Sequence, residues 1–388
     1  MVIDILGAGA LALTLPGSVY LAVLTAAAAA PLRQTARPIP ALRDKPPRIV
    51  ILVPAHNEST GLRRTLDSLR REVERDPRAR TVVVADNCSD DTAAVARAAG
   101  VEVLERHDAE RRGKGHALQF GFDTCTDADW FIVIDADTDV APGFLAAMRR
   151  GLATGADALQ CRYGVRDPLA SLRATLADVA LGGWNVLRPR GRAALGGSAG
   201  ILGNGFALSR RTLQAVPYSA RSIVEDVEYH QLLVQAGLRV RWVDDTEVRG
   251  DMPSGAAAAQ QRARWEGGRL RLIADRAPAL LRGVLRGQWR LADPLLDLML
   301  LPLSWHVTLL LGAGALGAGA VPALVAASLA VVALHICLAL RLIGAQPAHA
   351  RALLGVPAYL VWKLCLAGAT WRAVDRQAPW VRSTRRPS

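Results

Sequence analysis

From Ile5 to Ala30 the chain reads ILGAGALALTLPGSVYLAVLTAAAAA, 26 residues without a charge. A bilayer span takes about 20 apolar residues, so residues 1–30 are expected to form an N-terminal transmembrane helix. The run is too long for a signal peptide and has no basic residue ahead of it. A soluble buried helix is a poor account of so long an uncharged stretch. Two further runs near the other end, LLDLMLLPLSWHVTLLLGAGALGAGA and VPALVAASLAVVALHICLALRLIGA, are predicted to make a membrane hairpin over residues 294–345. The mean hydropathy of +0.19 agrees with a chain that lies partly in lipid.

Charge orients these segments. The Pro- and Arg-rich linker 31–47 and the basic tail after Trp371 should both stay in the cytoplasm, which leaves the N-terminus facing outward. The stretch RALLGVPAYLVWKLCLAGATW is interrupted by Arg351 and Lys363, so 346–388 is read as an interfacial amphipathic helix with a basic tail, and 276–293 as an interfacial connector. With 47 Lys and Arg against 35 Asp and Glu, the net charge is +12, which suits membrane lipids or an acidic substrate. Nucleic acid is excluded as a partner: the basic residues are scattered and only 5% of residues are aromatic. The five cysteines show neither zinc-ligand nor disulfide spacing. Partner subunits or a homo-oligomer are not indicated by any pattern in the chain.

Between the apolar ends, 48–275 is expected to be an α/β domain with a largely parallel sheet, because short β-branched runs alternate with helical stretches. RIVILVPA, RTVVVAD, VEVLER, WFIVIDAD, ADALQCRYGV and LRVRWV are the predicted strands, with GLRRTLDSLRREVER and DTAAVARAAG as helices. In such sheets ligands bind where the strands end, and the polar clusters fall there. Pro54, His56, Asn57 and Glu58 follow the first strand. Asp86 and Asn87 follow the second, where they could meet a base or ribose or simply build an Asx turn. Gly113 and Gly115 let backbone approach a ligand, and Lys114 offers a cation to phosphate.

Asp135 and Asp137 close WFIVIDAD. In extended backbone, side chains two residues apart leave the same face, and two carboxylates that close need a cation between them. Magnesium or manganese, shared with substrate phosphates, is the expected relief. Asp139 is read as a cap for a helix starting near Pro142. Glu225, Asp226 and Glu228 open another helix, where acidic residues are favourable in any case; the functional reading makes Asp226 a general base. Gln261, Arg264 and Trp265 offer a donor, a fixed cation and an aromatic platform on one helix. A magnesium-dependent phosphotransferase leaves the last group unexplained, and a non-catalytic nucleotide-sugar sensor leaves Asp226 unexplained.

In this order, VPAHNE, ADNCSDD, GKG, DAD, GNGFALSR, ED and Gln-x-x-Arg-Trp resemble the membrane-integrated family-2 glycosyltransferases, the branch with cellulose, chitin and hyaluronan synthases. The resemblance implies a GT-A nucleotide-sugar (Rossmann-like) domain with N- and C-terminal transmembrane helices. It implies a UDP-sugar donor held by Pro54, Glu58, Asp86, Lys114 and Asp135, and a divalent metal on Asp137 and Asp135. The catalytic pair falls on Asp226 and Glu225, with Val224 where the family has threonine. Gly203, Asn204, Gln261, Arg264 and Trp265 would serve the diphosphate and a lipid-linked or glycan acceptor. The expected activity is that of an inverting transferase, with a processive polysaccharide synthase of cellulose or hyaluronan type as the alternative; fewer spans than such a synthase uses for its channel weigh against translocation.

Overall fold

A computed structural model of the chain describes residues 2–32, 46–252 and 255–368. Most of the basic linker and the whole basic tail lie outside the described residues. The chain divides into two compact units, one of 46–167 with 198–257 and one of 2–32 with 168–197 and 258–368. The stretches 168–197 and 258–275, which the sequence reading kept in the catalytic domain, thus group with the apolar ends.

The first unit is built on eight strands: β1 (Ile49–Ala55), β2 (Ala79–Asp86), β3 (Glu102–Arg106), β4 (Trp130–Val133), β5 (Thr138–Val140), β6 (Ala158–Val165), β7 (Phe206–Ser209) and β8 (Val240–Gly250). They form one sheet in the order β3-β2-β1-β4-β7-β6-β8-β5. Strands β3, β2, β1 and β4 run parallel, with Ile51 beside Thr81 on one side and Ile132 on the other. Ile49 through Val53 are almost wholly buried, as expected for a central strand covered on both faces. The helix Leu62–Val73 turns Leu62, Leu66 and Leu69 into this core at three- and four-residue spacing. On the other side, Gly121 of the helix Lys114–Thr124 lets the helix close on Leu52, where an added Cβ would come within 2.6 Å of the leucine side chain.

Three expectations change. The sheet is mixed, because β7 pairs antiparallel with both β4 and β6, and β5 antiparallel with β8. β4 stops at Val133, so Asp135 and Asp137 stand on a turn closed by the Thr138 N–H to the Asp135 carbonyl (3.2 Å), not on extended backbone. Asp139 caps no helix: it lies in β5 between Arg64 (2.9 Å) and Arg166 (3.0 Å). The next helix is Phe144–Leu152, and the Glu72 carboxylate accepts the N–H groups of Gly143 and Leu145 there (2.9 and 3.0 Å).

In the second unit, Asp4–Ala29 and Val321–Leu342 are long and apolar enough to cross a membrane. The expected first arm of the hairpin is broken: Trp289–Met299 and Leu303–Leu316 meet at 77°. The helix Val2–Ala29 packs closely on its neighbours because Gly7 has no side chain; a Cβ there would sit 2.6 Å from the Gly317 Cα. Ser18 and Thr25 bond His306 and His335 at 3.0 and 2.8 Å, so the polar groups of these helices are satisfied within the unit. Residues 347–365 form short helical pieces rather than one long helix.

Gly205 shows how tightly the mixed half of the sheet is packed: its φ is +69°, and a Cβ would lie 2.6 Å from the Cys161 sulfur. Gly205→Ala is expected to destabilise the protein by about 2 kcal/mol or more through strain and overpacking, read as a lowered Tm of the purified chain. An unchanged Tm would mean that this junction can relax.

Candidate active site

Because β1, β2 and β4 run parallel, the loops after Ala55, Asp86 and Val133 leave the same edge of the sheet. The first two loops turn on asparagines with left-handed backbone, Asn57 (φ 55°) and Asn87 (φ 52°), a conformation asparagine tolerates better than most residues. They are stitched together. Ser89 N–H donates to Asn57 Oδ1 (2.7 Å), the Glu58 N–H donates to Thr92 Oγ1 (2.7 Å), and the ring of His56 meets the Asp86 carbonyl (2.7 Å). Asp90 receives the N–H groups of Ser59 and Thr92 (3.1 and 3.0 Å). Although burial opposes it, these bonds and the Thr92 hydroxyl hold Asp90 down at about 2, so it is a fixed anion.

Pro54, one residue before the end of β1, lies beside Val84 next to this double loop. Asp86 is buried, and its Oδ1 takes Arg106 Nη1 at 2.5 Å and Asn87 Nδ2 at 3.1 Å. Arg106 comes from the end of β3, a partner that sequence spacing did not reveal.

The aspartate turn is clamped through its backbone. Asn204 Oδ1 accepts the Asp135 N–H (3.1 Å), Thr65 donates to the Ala136 carbonyl (2.8 Å), and Arg166 donates to the Asp137 carbonyl (2.6 Å). Both carboxylates are partly exposed as a result of projecting from this clamp. Arg166 also pairs with Asp139 and with Asp251 (2.9 Å), which joins β5 to the end of β8.

Lys114 joins the next pieces. It opens the helix Lys114–Thr124, and its ammonium donates to Asp135 Oδ1 and to the Gly203 carbonyl (2.5 Å). Burial works against its charge, but Asp135, Glu225 and Asp226 raise its pKa, so it stays cationic. Gly115 permits the approach, since a Cβ there would lie 2.6 Å from the Ala220 carbonyl. Gly203 has φ +78°, and a Cβ on it would stand 3.1 Å from Asp226 Oδ2. Asn204 is fully buried and reaches Thr138 (2.8 Å) with its amide.

Glu225 and Asp226 begin the helix Glu225–Gln235. Burial first, and then the Asp226 charge, push Glu225 up to about 7, with Lys114 opposing; Asp226 is raised too, chiefly by burial.

The structure thus brings Lys114, Asp135, Gly203, Asn204, Glu225 and Asp226 together, with Asp137 on the same turn as Asp135, and sets Pro54 and Asp86 in the last residues of β1 and β2 and Glu58 on the loop after β1. Gln261, Arg264 and Trp265 stand on the helix Gly255–Leu285, within the second unit, where the Trp265 ring is exposed. Arg106, Arg166, Thr65 and Gln160 are not marked by any motif in the sequence. Gln160, wholly buried in β6, donates to the Asn204 carbonyl (2.8 Å) and accepts the Leu202 N–H (2.9 Å), holding the Gly203 loop from below. A glutamine inside ADALQCRYGV was the available signal.

Residues 46–268 match the family described as glycosyltransferase like family 2. The chain belongs to that family. Among solved structures, a mannosyltransferase from Pyrobaculum calidifontis, in complex with GDP-Man and Mn2+, superposes with a TM-score of 0.56 at 18% identity, over 97% of this chain and 100% of that one. That likeness establishes the shared fold. Mannosyl-3-phosphoglycerate synthase from Rubrobacter xylanophilus aligns at 19% identity over 62% of this chain and 77% of its own, with a TM-score of 0.45. Glucosyl-3-phosphoglycerate synthase from Mycobacterium tuberculosis, in complex with Mn2+, UDP and phosphoglyceric acid, aligns at 24% identity over 57% and 78%, with a TM-score of 0.38. No curated protein matches the sequence. The α/β unit is accordingly the GT-A-like nucleotide-sugar domain of a glycosyltransferase.

Gln160→Leu in this transferase would leave the Asn204 carbonyl and the Leu202 N–H without their partner, at about 1–3 kcal/mol for the buried groups. The expected result is a modest fall in Tm with a larger fall in kcat, since the Gly203 loop faces Asp226. Unchanged kcat would show that the loop keeps its place without the latch.

Proposed function

We propose that the protein is an inverting, metal-dependent transferase that moves a sugar from a UDP-sugar to a lipid-linked or polysaccharide acceptor at the cytoplasmic membrane face, in exopolysaccharide or cell-envelope glycan synthesis. The observation that carries this reading is the Lys114 ammonium, which holds Asp135 and the Gly203 carbonyl beside the Glu225–Asp226 pair. A cation next to a diphosphate site and a raised carboxylate pair next to an acceptor site are the two halves of a displacement at an anomeric carbon.

The donor half begins at Asp86. With Oδ1 engaged by Arg106 and Asn87, the carboxylate offers one further acceptor oxygen, which matches the single N3–H of uracil. Pro54 and Glu58 would line the same nucleoside site. Asp135 and Asp137 suit a magnesium or manganese ion: no group of three His, Cys, Asp or Glu side chains is positioned for a metal among the described residues, and these hard ions take one or two carboxylates with the rest from substrate phosphate and water. Such an ion would neutralise charge on the departing diphosphate. Lys114 adds a protein cation at the same place, and Gln261, Arg264 and Trp265 are assigned to diphosphate and acceptor.

On the acceptor half, Asp226 takes the hydroxyl proton as the acceptor oxygen attacks. Burial raises the proton affinity of Asp226, and burial with the Asp226 charge raises that of Glu225, which moves both carboxylates up from their ordinary range. The membrane assignment is supported by the long apolar helices Asp4–Ala29 and Val321–Leu342, with basic segments flanking the catalytic unit.

Asp226→Asn is expected to lower kcat by about 100-fold or more, measured as UDP release from a UDP-sugar with manganese; release surviving at the original rate would remove Asp226 as the base. The pH profile offers an independent check. The base works only when ionised, and burial raises Asp226, so kcat/KM should climb with pH along a limb displaced above that of an ordinary aspartate. Glu225→Gln removes the repelling neighbour, and the rising limb should move to lower pH. A limb that stays in place would show that Glu225 does not set it.

A further inference from the structure

The second unit contains a cluster of buried charge that the transfer reaction above does not use. Its centre is Trp184, on the π-helix Gly182–Leu187, a distortion that often marks functional positions. Two guanidinium groups lie over this ring, Arg188 at 4.4 Å and Arg269 at 4.5 Å from the centroid. Arg192 is buried nearby and pairs with Asp297, with Asp293 (3.3 Å) and with the Tyr20 hydroxyl (3.2 Å), which itself donates to Asp293 (2.6 Å). Arg269 donates to the Asp297 carbonyl.

Arg188 is different. It is 3% exposed, its nearest carboxylate is Asp297 at 3.9 Å, already shared with Arg192, and its Nε and Nη1 have no hydrogen-bond partner among the described residues. Burial draws its pKa down to about 10, against the pull of Asp297, so the group is still cationic at neutral pH. A buried cation with idle donors is unfavourable unless an anion completes it. The guanidinium fork matches two phosphate oxygens, and the partly exposed Trp184 and Asp297 give the cluster an accessible edge.

We propose that Arg188, supported by Arg192 and Arg269, binds a phosphate group, and that this phosphate is the headgroup of a phosphorylated lipid. The lipid source follows from the apolar helices of the same unit, Val2–Ala29 and Val321–Leu342, and rests on the membrane reading given under Proposed function. Binding needs no turnover, so the site can be tested apart from catalysis.

The test uses the full chain in neutral detergent, with farnesyl phosphate, farnesol and inorganic phosphate as probes in equilibrium-binding measurements, and UDP with manganese as a control at the other site. Farnesyl phosphate should bind and farnesol should not, and Arg188→Met should weaken farnesyl phosphate about tenfold or more, as expected for loss of a charge-assisted bidentate contact. The UDP affinity should be unchanged. Replacing a buried, poorly bonded arginine by an apolar side chain of similar length should leave Tm equal or higher. If that variant does not fold, Arg188→Lys, which keeps the charge and loses the fork, should still reduce farnesyl phosphate affinity. Equal affinity of the folded variants and the parent protein overturns the site. Inorganic phosphate binding as tightly as farnesyl phosphate, and with the same dependence on Arg188, keeps the anion site and overturns the lipid assignment. Failure of the transferase reading would show separately, as absence of UDP release by the parent protein.

Discussion

The contact on which the catalytic unit depends is the one made by the Lys114 ammonium. It reaches a carboxylate after β4 and a carbonyl in the loop before β7, 21 and 89 residues away along the chain. Without that cation, Asp135, Glu225 and Asp226 would place three negative charges in one partly dehydrated region with little to offset them. With it, the group keeps a raised carboxylate pair beside a position suited to diphosphate. The same charge therefore stabilises the fold locally and prepares the chemistry.

Backbone close approach makes this possible. Gly115 passes the Ala220 carbonyl, where a side chain would collide, and Gly203 passes Asp226 with left-handed backbone, where a side chain would be strained and tightly packed. Around them, buried polar side chains act as struts: Gln160 and Asn204 hold the Gly203 loop, while Thr65 and Arg166 hold the aspartate turn. Each strut satisfies a backbone group that the loops would otherwise leave unpaired. Loop shape at the site is thus fixed by side chains from the scaffold, which agrees with function residing on loops that a rigid sheet positions.

Much of the architecture was legible in the chain. Continuous apolar runs such as IVILVPA can only be central strands covered on both faces, and an uncharged 26-residue run can only be a long apolar helix. Polar clusters at strand ends and helix starts mark Asp86, Lys114, Asp135 and Asp226 in the sequence as candidates. What stayed hidden has a common cause. β5 and β7 are three and four residues long, too short for periodicity to register. The aspartates looked extended because the apolar run before them did, yet β4 ends early where the chain must turn back. Asp139 read as a cap because caps are local, whereas its partners Arg64 and Arg166 are distant in sequence.

By itself, then, the sequence determined which segments are strand, helix or apolar span, and which residue types stand at the strand ends, because those properties follow from local periodicity and from burial that the residues cannot avoid. Only the tertiary structure decided which charges meet. Lys114 with Asp135, Arg106 with Asp86, Glu72 with the helix at Phe144 and Arg269 over Trp184 are pairings between separate segments of the chain. Coulomb and hydrogen-bond energies depend on separations of a few ångströms that spacing in sequence does not encode.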